Sequence, residues 1–266
     1  MAVRRRPSRV APGQHFLRSS RLASDFVREA GVARGDLVVD IGAGTGVLTR
    51  ALAATGARVT ALEADPALAG QLRRAFSSTD TVRLVEVDVL RWAWPRESFS
   101  VVANLPFANS GAILRHLLED PRSALQRAEL IVQWDFAVKH TAVWPATLRS
   151  TYWRAWYDVS ITGRLARTAF SPPPSVDAGV IRIARRTQPL IGFEEHEEYW
   201  RFLSDAFRAQ TSIRRSLRAH LPGLELKRLA PTLGFAPEAR ARDLDARQWA
   251  TVFRRVSARL RRYHGE

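Results

Sequence analysis

An apolar run broken only by Asp40, Leu37–Ile41, passes directly into Gly42-Ala-Gly44-Thr-Gly46 and then, without a spacer, into the helical pattern Val47–Thr55. No other stretch restricts the fold as strongly. A strand without polar alternation is buried on both faces, and such strands belong to parallel sheets covered by helices. Glycines at the strand-to-helix joint permit a tight turn and let a ligand touch the backbone.

The alternation repeats downstream. Strands are expected at Arg58–Glu63, Val82–Val87, Phe99–Asn104 and Leu130–Trp134. Helices are expected at Ser20–Ala30, Pro66–Phe76 and Ser110–Leu118. Two later strands, near Trp156–Arg164 and Gly179–Ala184, close one edge and are joined by the loop Ala169–Val176. From Glu194 onward the pattern is helical only, over Glu194–Ala209, Ile213–Leu221, Leu224–Leu233 and Ala246–Leu260. The expected architecture is α/β and Rossmann-like: a mostly parallel seven-stranded sheet, followed by a small C-terminal all-α domain. The expected divisions are a flexible basic arm over 1–13, an α/β domain over 14–188 and a helical domain over 189–266.

Charge restricts the partner. The formal net charge is +15, and of the 41 basic residues only Lys139 and Lys227 are lysine. Part of that bias can reflect a GC-rich genome, but arginine also binds phosphate bidentately and stacks on bases. A pI near 11.4 points to a polyanion. Arg4, Arg5, Arg6 and Arg9, set among Pro7, Pro12 and Gly13, read as an RNA-binding arm. At 46% hydrophobic the chain can bury a core, and with no cysteine it has no disulfides or thiolate metal sites. The histidines lack ligand spacing, so no metal is expected. Nothing resembles a signal peptide or a membrane span, and a soluble cytoplasmic monomer is expected.

The glycine turn reads G-x-G-x-G, not the G-x-G-x-x-G of dinucleotide folds. Glu63 ends the next strand, where a carboxylate can hold both hydroxyls of a ribose. Asp88 follows the third strand, where it can accept from an adenine amino group. Asp40 can orient the glycine loop or a sulfonium centre through water. Acids at the carboxyl ends of successive strands mark the ligand side of an open α/β sheet. With Gly42, Gly44 and Gly46 they point to S-adenosylmethionine rather than a nicotinamide cofactor. Gln14-His15-Phe16-Leu17 is either a surface turn or a contact for the donor's amino-acid end.

Asn104-Leu-Pro-Phe107 ends the fourth strand, beside that pocket. A nucleobase's exocyclic amine is not basic, because its lone pair is delocalised into the ring. An amide oxygen, a backbone carbonyl and an aromatic face can make it more tetrahedral without a titrating base. Asn104, Leu105 and Phe107 supply these parts, and Pro106 stiffens the turn. Phe170, heading Ser171-Pro-Pro-Pro-Ser175, either covers the base's other side or packs in the core. Reaching such an amine requires a nucleotide extruded from its stack. Trp144, Trp153 and Trp156 intermix with Arg149 and Arg154, as suits single-stranded RNA or simply a core.

Gly13-Gln-His-Phe-Leu17, Asp40–Gly46, Glu63, Asp88, Asn104–Phe107 and Phe170-Ser-Pro-Pro-Pro-Ser-Val-Asp-Ala-Gly179 together resemble the erythromycin-resistance (Erm) rRNA adenine-N6 methyltransferases, relatives of the small-subunit dimethyladenosine transferases. The resemblance implies that His15, Leu17, Gly42, Glu63, Asp88 and Asn104 contact S-adenosylmethionine. It implies that Asn104 and Phe107 hold the target adenine and that the helical domain assists RNA binding. The implied substrate is an adenine in the peptidyltransferase loop of 23S rRNA. The implied consequence is resistance to macrolides, lincosamides and streptogramin B. His15 stands where many relatives have Asn, and Phe107 where many have Tyr. Leu130–Lys139 and Val176-Asp-Ala-Gly179 resemble the resistance branch, and the Tyr-Gly-x-Leu-Ser element of the small-subunit branch is missing. The alternatives are a 16S rRNA adenine dimethyltransferase and an idle RNA-binding protein on the same fold.

Overall fold

Val38, Val39 and Ile41 are all buried, as a strand covered on both faces requires. The structure, a computed structural model, describes residues 15–264, with side chains through residue 259. Gln14 and Arg4, Arg5, Arg6 and Arg9 of the arm lie outside the described residues.

The chain runs β1 (Phe16–Leu17), α1 (Ser20–Glu29), β2 (Leu37–Ile41), α2 (Val47–Ala54), β3 (Arg58–Glu63), α3 (Pro66–Ala75), β4 (Val82–Glu86), β5 (Phe99–Asn104), α4 (Ser110–Leu118) and β6 (Leu125–Gln133). It continues through α5 (Trp134–Thr141), α6 (Leu148–Trp153), β7 (Tyr157–Leu165), β8 (Phe170–Ser171), β9 (Ala178–Arg185), α7 (His196–Arg208), α8 (Ile213–Ser216), α9 (Gly223–Thr232) and α10 (Ala246–His264). Seven strands form one sheet in the order β4-β3-β2-β5-β6-β9-β7. β4, β3, β2, β5 and β6 pair in parallel. β2 sits between β3 and β5, so the order reverses there, and ligands of open α/β sheets bind beyond the carboxyl ends at such a point. Both functional turns leave the sheet at that point.

Local chemistry sets the element starts. Asp65 accepts from the N–H groups of Ala67 (2.8 Å) and Leu68 (3.0 Å), and Pro66 takes the first helical position of α3. Thr147 and Ser150 form a reciprocal capping box at α6.

Three expectations require correction. β6 begins at Leu125, not Leu130, because its first half is polar yet paired with β5. Glu129 there is buried against the Arg182 guanidinium, and Arg127 donates to the Gly31 carbonyl at 3.0 Å. Trp134 opens α5, its N–H donating to the Asp177 carbonyl at 2.9 Å, rather than ending a strand. Finally, the loop 169–176 contains β8, which pairs antiparallel with β1 as a separate two-stranded sheet.

The chain divides into two compact units. The first comprises the residues through Leu117, Ala124–Ala137 and Ile161–Arg182, and its core includes Leu48, Leu52, Val59, Val102 and Ile131. The second comprises Leu118–Ser123, Val138–Ser160 and the chain from Ile183 on. Its core is aromatic. Tyr152 meets Trp156 edge-on at 4.8 Å, Trp156 meets Tyr199 at 6.0 Å, and Tyr199 meets Phe253 at 5.1 Å. Trp153 and Trp156 are buried there, which removes them as stacking platforms for RNA. Trp144 remains exposed, with its indole N–H on the Asp243 carbonyl at 3.1 Å.

Candidate active site and cofactor pocket

A cavity of about 260 Å³ opens beyond β2, β3 and β5. Gly42, Glu63, Asp88, Asn104, Leu105 and Pro106 line it, together with His15 and Phe16.

The glycine turn is built around a buried carboxylate. Glu63 accepts the N–H of Gly44 at 2.8 Å on Oε2 and the N–H of Asp65 at 2.9 Å on Oε1. Each carboxylate oxygen carries two lone pairs, so both can accept again from a ligand hydroxyl. Asp88 accepts from the Leu90 N–H at 3.0 Å on Oδ1 and opens a short 3₁₀ turn. Gly42 has φ of +68°, and a Cβ there would lie 3.5 Å from Pro106 Cδ. The glycine turn and the Asn104 turn are therefore immediate neighbours. Phe16 lies so close to Gly44 that any side chain at Gly44 would strike its ring. Gly44 and Gly46 support the turn without lining the cavity.

Asp40 is buried beneath the loop and accepts the Thr49 hydroxyl at 2.7 Å, tying β2 to α2. It serves the loop and does not line the cavity. Burial, opposed by the Thr49 hydrogen bond and reinforced by the charge of Glu63, pushes its carboxyl up to about 7. A raised carboxyl pKa means that the folded chain keeps a proton that the unfolded chain has released. Its contribution is therefore most favourable below the unfolded value of 3.8, declines as pH rises to about 7, and is constant above. Between pH 5 and pH 8 the wild type is expected to lose on the order of a few kcal/mol of unfolding free energy relative to Asp40→Asn. Urea titrations of both proteins check this. Parallel pH profiles would place the buried proton elsewhere.

Asn104 is held from an unexpected side. Its Nδ2 donates to the His15 backbone carbonyl at 2.6 Å, which fixes the amide plane. Its Oδ1 is buried and has no hydrogen-bond partner. The Leu105 N–H donates to the Ile131 carbonyl at 3.0 Å and extends the sheet ladder into the turn. The Pro106 carbonyl accepts from the Asn109 N–H at 3.0 Å and the Ser110 hydroxyl at 3.2 Å, which locks the turn's far side. The Phe107 ring is almost buried, tilted against the His15 ring at 5.3 Å and edge-on to Phe170 at 6.2 Å.

Phe170 itself has no exposed surface and does not line the cavity, so it braces Phe107 and is not placed to cover a base. Leu17, its partner in the small sheet, is likewise packed in the core. His15 Nδ1 donates to the Pro172 carbonyl at 2.8 Å, so the proline loop holds His15 while His15 holds Asn104. The segment 15–17, which by sequence fits a surface turn equally well, thus reaches both functional turns. Phe16 carries no signal in the sequence beyond its place in that tetrapeptide. Among the described residues no group of His, Asp and Glu could hold a metal ion, and no helix is long and apolar enough to cross a membrane.

The family model "Ribosomal RNA adenine dimethylase" matches residues 7–258. The chain belongs to the ribosomal RNA adenine dimethylase family. Within that family it is similar to the mycinamicin-resistance protein MyrB of Micromonospora griseorubida, 32% identical over 243 residues, covering 91% of this chain and 77% of MyrB. It is also similar to ribosomal RNA small subunit methyltransferase A of Rubrobacter xylanophilus, 32% identical over 254 residues, covering 92% and 94% of the two chains. Among solved structures it resembles the 23S rRNA methyltransferase ErmE with a TM-score of 0.80 and 28% identity, over 91% of this chain and 99% of that one. The expected fold, cofactor and reaction class hold: this member of the dimethylase family is an S-adenosylmethionine-dependent rRNA adenine-N6 methyltransferase. The pocket suits that cofactor, because buried Glu63, Asp88, an approachable Gly42 backbone and the orphaned Asn104 oxygen converge on one cavity.

Proposed function

We propose that the chain methylates the N6 amine of a specific adenine in 23S rRNA and thereby confers resistance to macrolides, lincosamides and streptogramin B. The observation that carries this proposal is the clamped Asn104 amide, whose nitrogen is spent on His15 while its oxygen is left unpaired. A buried acceptor without a partner costs roughly 1–3 kcal/mol, a cost relieved when a donor arrives. Asn104 Oδ1 and the Leu105 carbonyl accept the two amine hydrogens, which draws the nitrogen lone pair out of conjugation. Phe107 stacks on the adenine once its ring turns out from His15 and Phe170, since it does not line the cavity as it stands, and Pro106 holds the turn rigid. Glu63 takes the donor's ribose hydroxyls and Asp88 its adenine amine. Gln14, His15 and Gly42 are assigned to its amino-acid end, with Leu17, Gly44 and Gly46 supporting that wall from outside the cavity. When bound, S-adenosylmethionine supplies an electrophilic methyl group. No side chain has to change charge for the amine to be positioned.

The large-subunit choice is supported by the similarity to ErmE and MyrB and by Leu130–Lys139 and Val176–Gly179. A second reading, 16S rRNA dimethylation, is favoured by the Rubrobacter relative at 32% identity. Offering the enzyme each subunit's RNA separately, with mass mapping of the product, decides between them. Methylation confined to small-subunit RNA overturns the proposal. We further assign the chemistry to 14–188 and RNA support to 189–266, in a cytoplasmic monomer.

The arm over 1–13 adds phosphate contacts. Changing Arg4, Arg5, Arg6 and Arg9 to glutamine is expected to weaken rRNA binding. It should flatten the log–log salt slope by roughly 0.7–0.9 for each phosphate that is no longer neutralised. An unchanged slope in a filter-binding series would make the arm a bystander.

A further inference from the structure

The second unit contains a smaller, open cavity of about 140 Å³ with a strongly cationic lining. Arg154, Arg186 and Arg247 contribute three guanidiniums, with Thr151 from α6 and Asp245 and Ala246 at the start of α10. Arg186 is largely enclosed, with a side chain 11% exposed. Burial first, and then the charge of Arg186, pulls Arg154 below the usual arginine range; burial also lowers Arg186, and Arg247 acts in the same direction. The cations are crowded against one another.

Two carboxylates offset part of that charge. Asp158 pairs with Arg186 at 2.7 Å, but from the solvent side, with 65% of its side chain exposed. Asp245 accepts the Gln248 N–H at 2.8 Å and so caps α10. Two polar atoms in the lining are unpaired. The Thr151 hydroxyl, on a residue 1% exposed, has no partner, and neither does the Arg154 Nε–H. Arg154 is not loose, since its Nη2 donates to the Thr141 carbonyl at 2.6 Å. The 19-residue helix α10 also brings the positive end of its dipole to this corner. A hydroxyl and a guanidinium N–H, both shielded from water and both unsatisfied, beside crowded cations, describe a place prepared for an oxyanion.

We propose that this cavity is an oxyanion site that takes one backbone phosphate of the RNA substrate, well apart in sequence from the basic arm. The RNA source rests on the rRNA reading above; the anion chemistry does not. A free inorganic phosphate would satisfy the same donors, and the two sources separate experimentally.

Two single variants of the full chain test it, Arg247→Gln at the exposed rim and Thr151→Val beneath it. Arg247→Gln is expected to lower affinity for an rRNA fragment about 5–10-fold at low salt and to reduce the salt slope by roughly 0.7–0.9. Thr151→Val is expected to raise the melting temperature of the free protein, because it removes an unpaired buried hydroxyl, yet to weaken RNA binding. A purely structural threonine would give the opposite shift in melting temperature. In parallel, millimolar inorganic phosphate at matched ionic strength should stabilise the wild type more than either variant. A phosphate effect abolished in both variants with an unchanged RNA salt slope overturns the backbone assignment in favour of a free anion. If the wild type fails to bind rRNA at all, the phosphate arm still decides whether the site exists. No phosphate effect together with an unchanged slope overturns the proposal entirely.

Discussion

Replacing Asn104 with alanine is expected to slow methyl transfer by roughly 10²–10³-fold, the scale for losing one preorganised polar contact to the reacting group. RNA affinity should stay within about twofold, because phosphate contacts dominate it. The substitution removes the unpaired acceptor and also frees the His15 carbonyl that the amide nitrogen holds at 2.6 Å. Asn104→Asp separates these effects. It keeps acceptor oxygens but sets a carboxylate against that carbonyl, so the clamp repels instead of holding. Single-turnover rates of both variants, with donor affinity measured by calorimetry, test the assignment. If Asn104→Asp retains most of the rate, the clamp is dispensable and acceptance alone matters. If Asn104→Ala turns over near normally, the amide has no part in the chemistry.

Gly46→Ala is the second large effect. Gly46 has φ of +79°, and an added Cβ would lie 2.7 Å from Leu72 Cδ2 and 3.0 Å from Phe76 Cε2. Both neighbours are buried, so neither can swing into solvent. Left-handed strain of roughly 1–2 kcal/mol adds to overpacking of roughly 1–3 kcal/mol. A destabilisation of about 2–4 kcal/mol is expected, with weaker donor binding because the turn cannot close. Gly35→Ala is the matched control. Its φ is +85°, but no atom lies within 4 Å of the new Cβ, so it carries the strain alone. Equal destabilisation of the two variants in chemical denaturation would show that Leu72 and Phe76 yield without cost.

The parallel half of the sheet was legible residue by residue. Arg58–Glu63 and Phe99–Asn104 form strands with the bounds read from sequence, since buried parallel strands are apolar runs closed by acids, glycines or prolines. The Gly42 and Asn104 turns were legible for the same reason: turn chemistry is local. β6 was half hidden, because Gln126, Arg127 and Glu129 read as loop until Arg182 supplies a distant partner for Glu129. The short α5 and α6 also escaped. Trp134 reads as the end of a strand, and Trp144, Trp153 and Trp156 intermix with arginines in an order that suggests an RNA surface, whereas Trp153 and Trp156 fill the second unit's core.

Strand positions, ligand side and reaction type follow from one-dimensional pattern, because period, punctuation and acid placement are properties of neighbours in the chain. Which way the Asn104 amide faces, what braces Phe107, and why Arg186 and Arg247 join Arg154 at one cavity were decided by tertiary structure alone. Each depends on a buried polar or aromatic group meeting a partner far away in sequence, 89 residues away for Asn104 and His15. Desolvation makes such partners obligatory without marking them in the sequence.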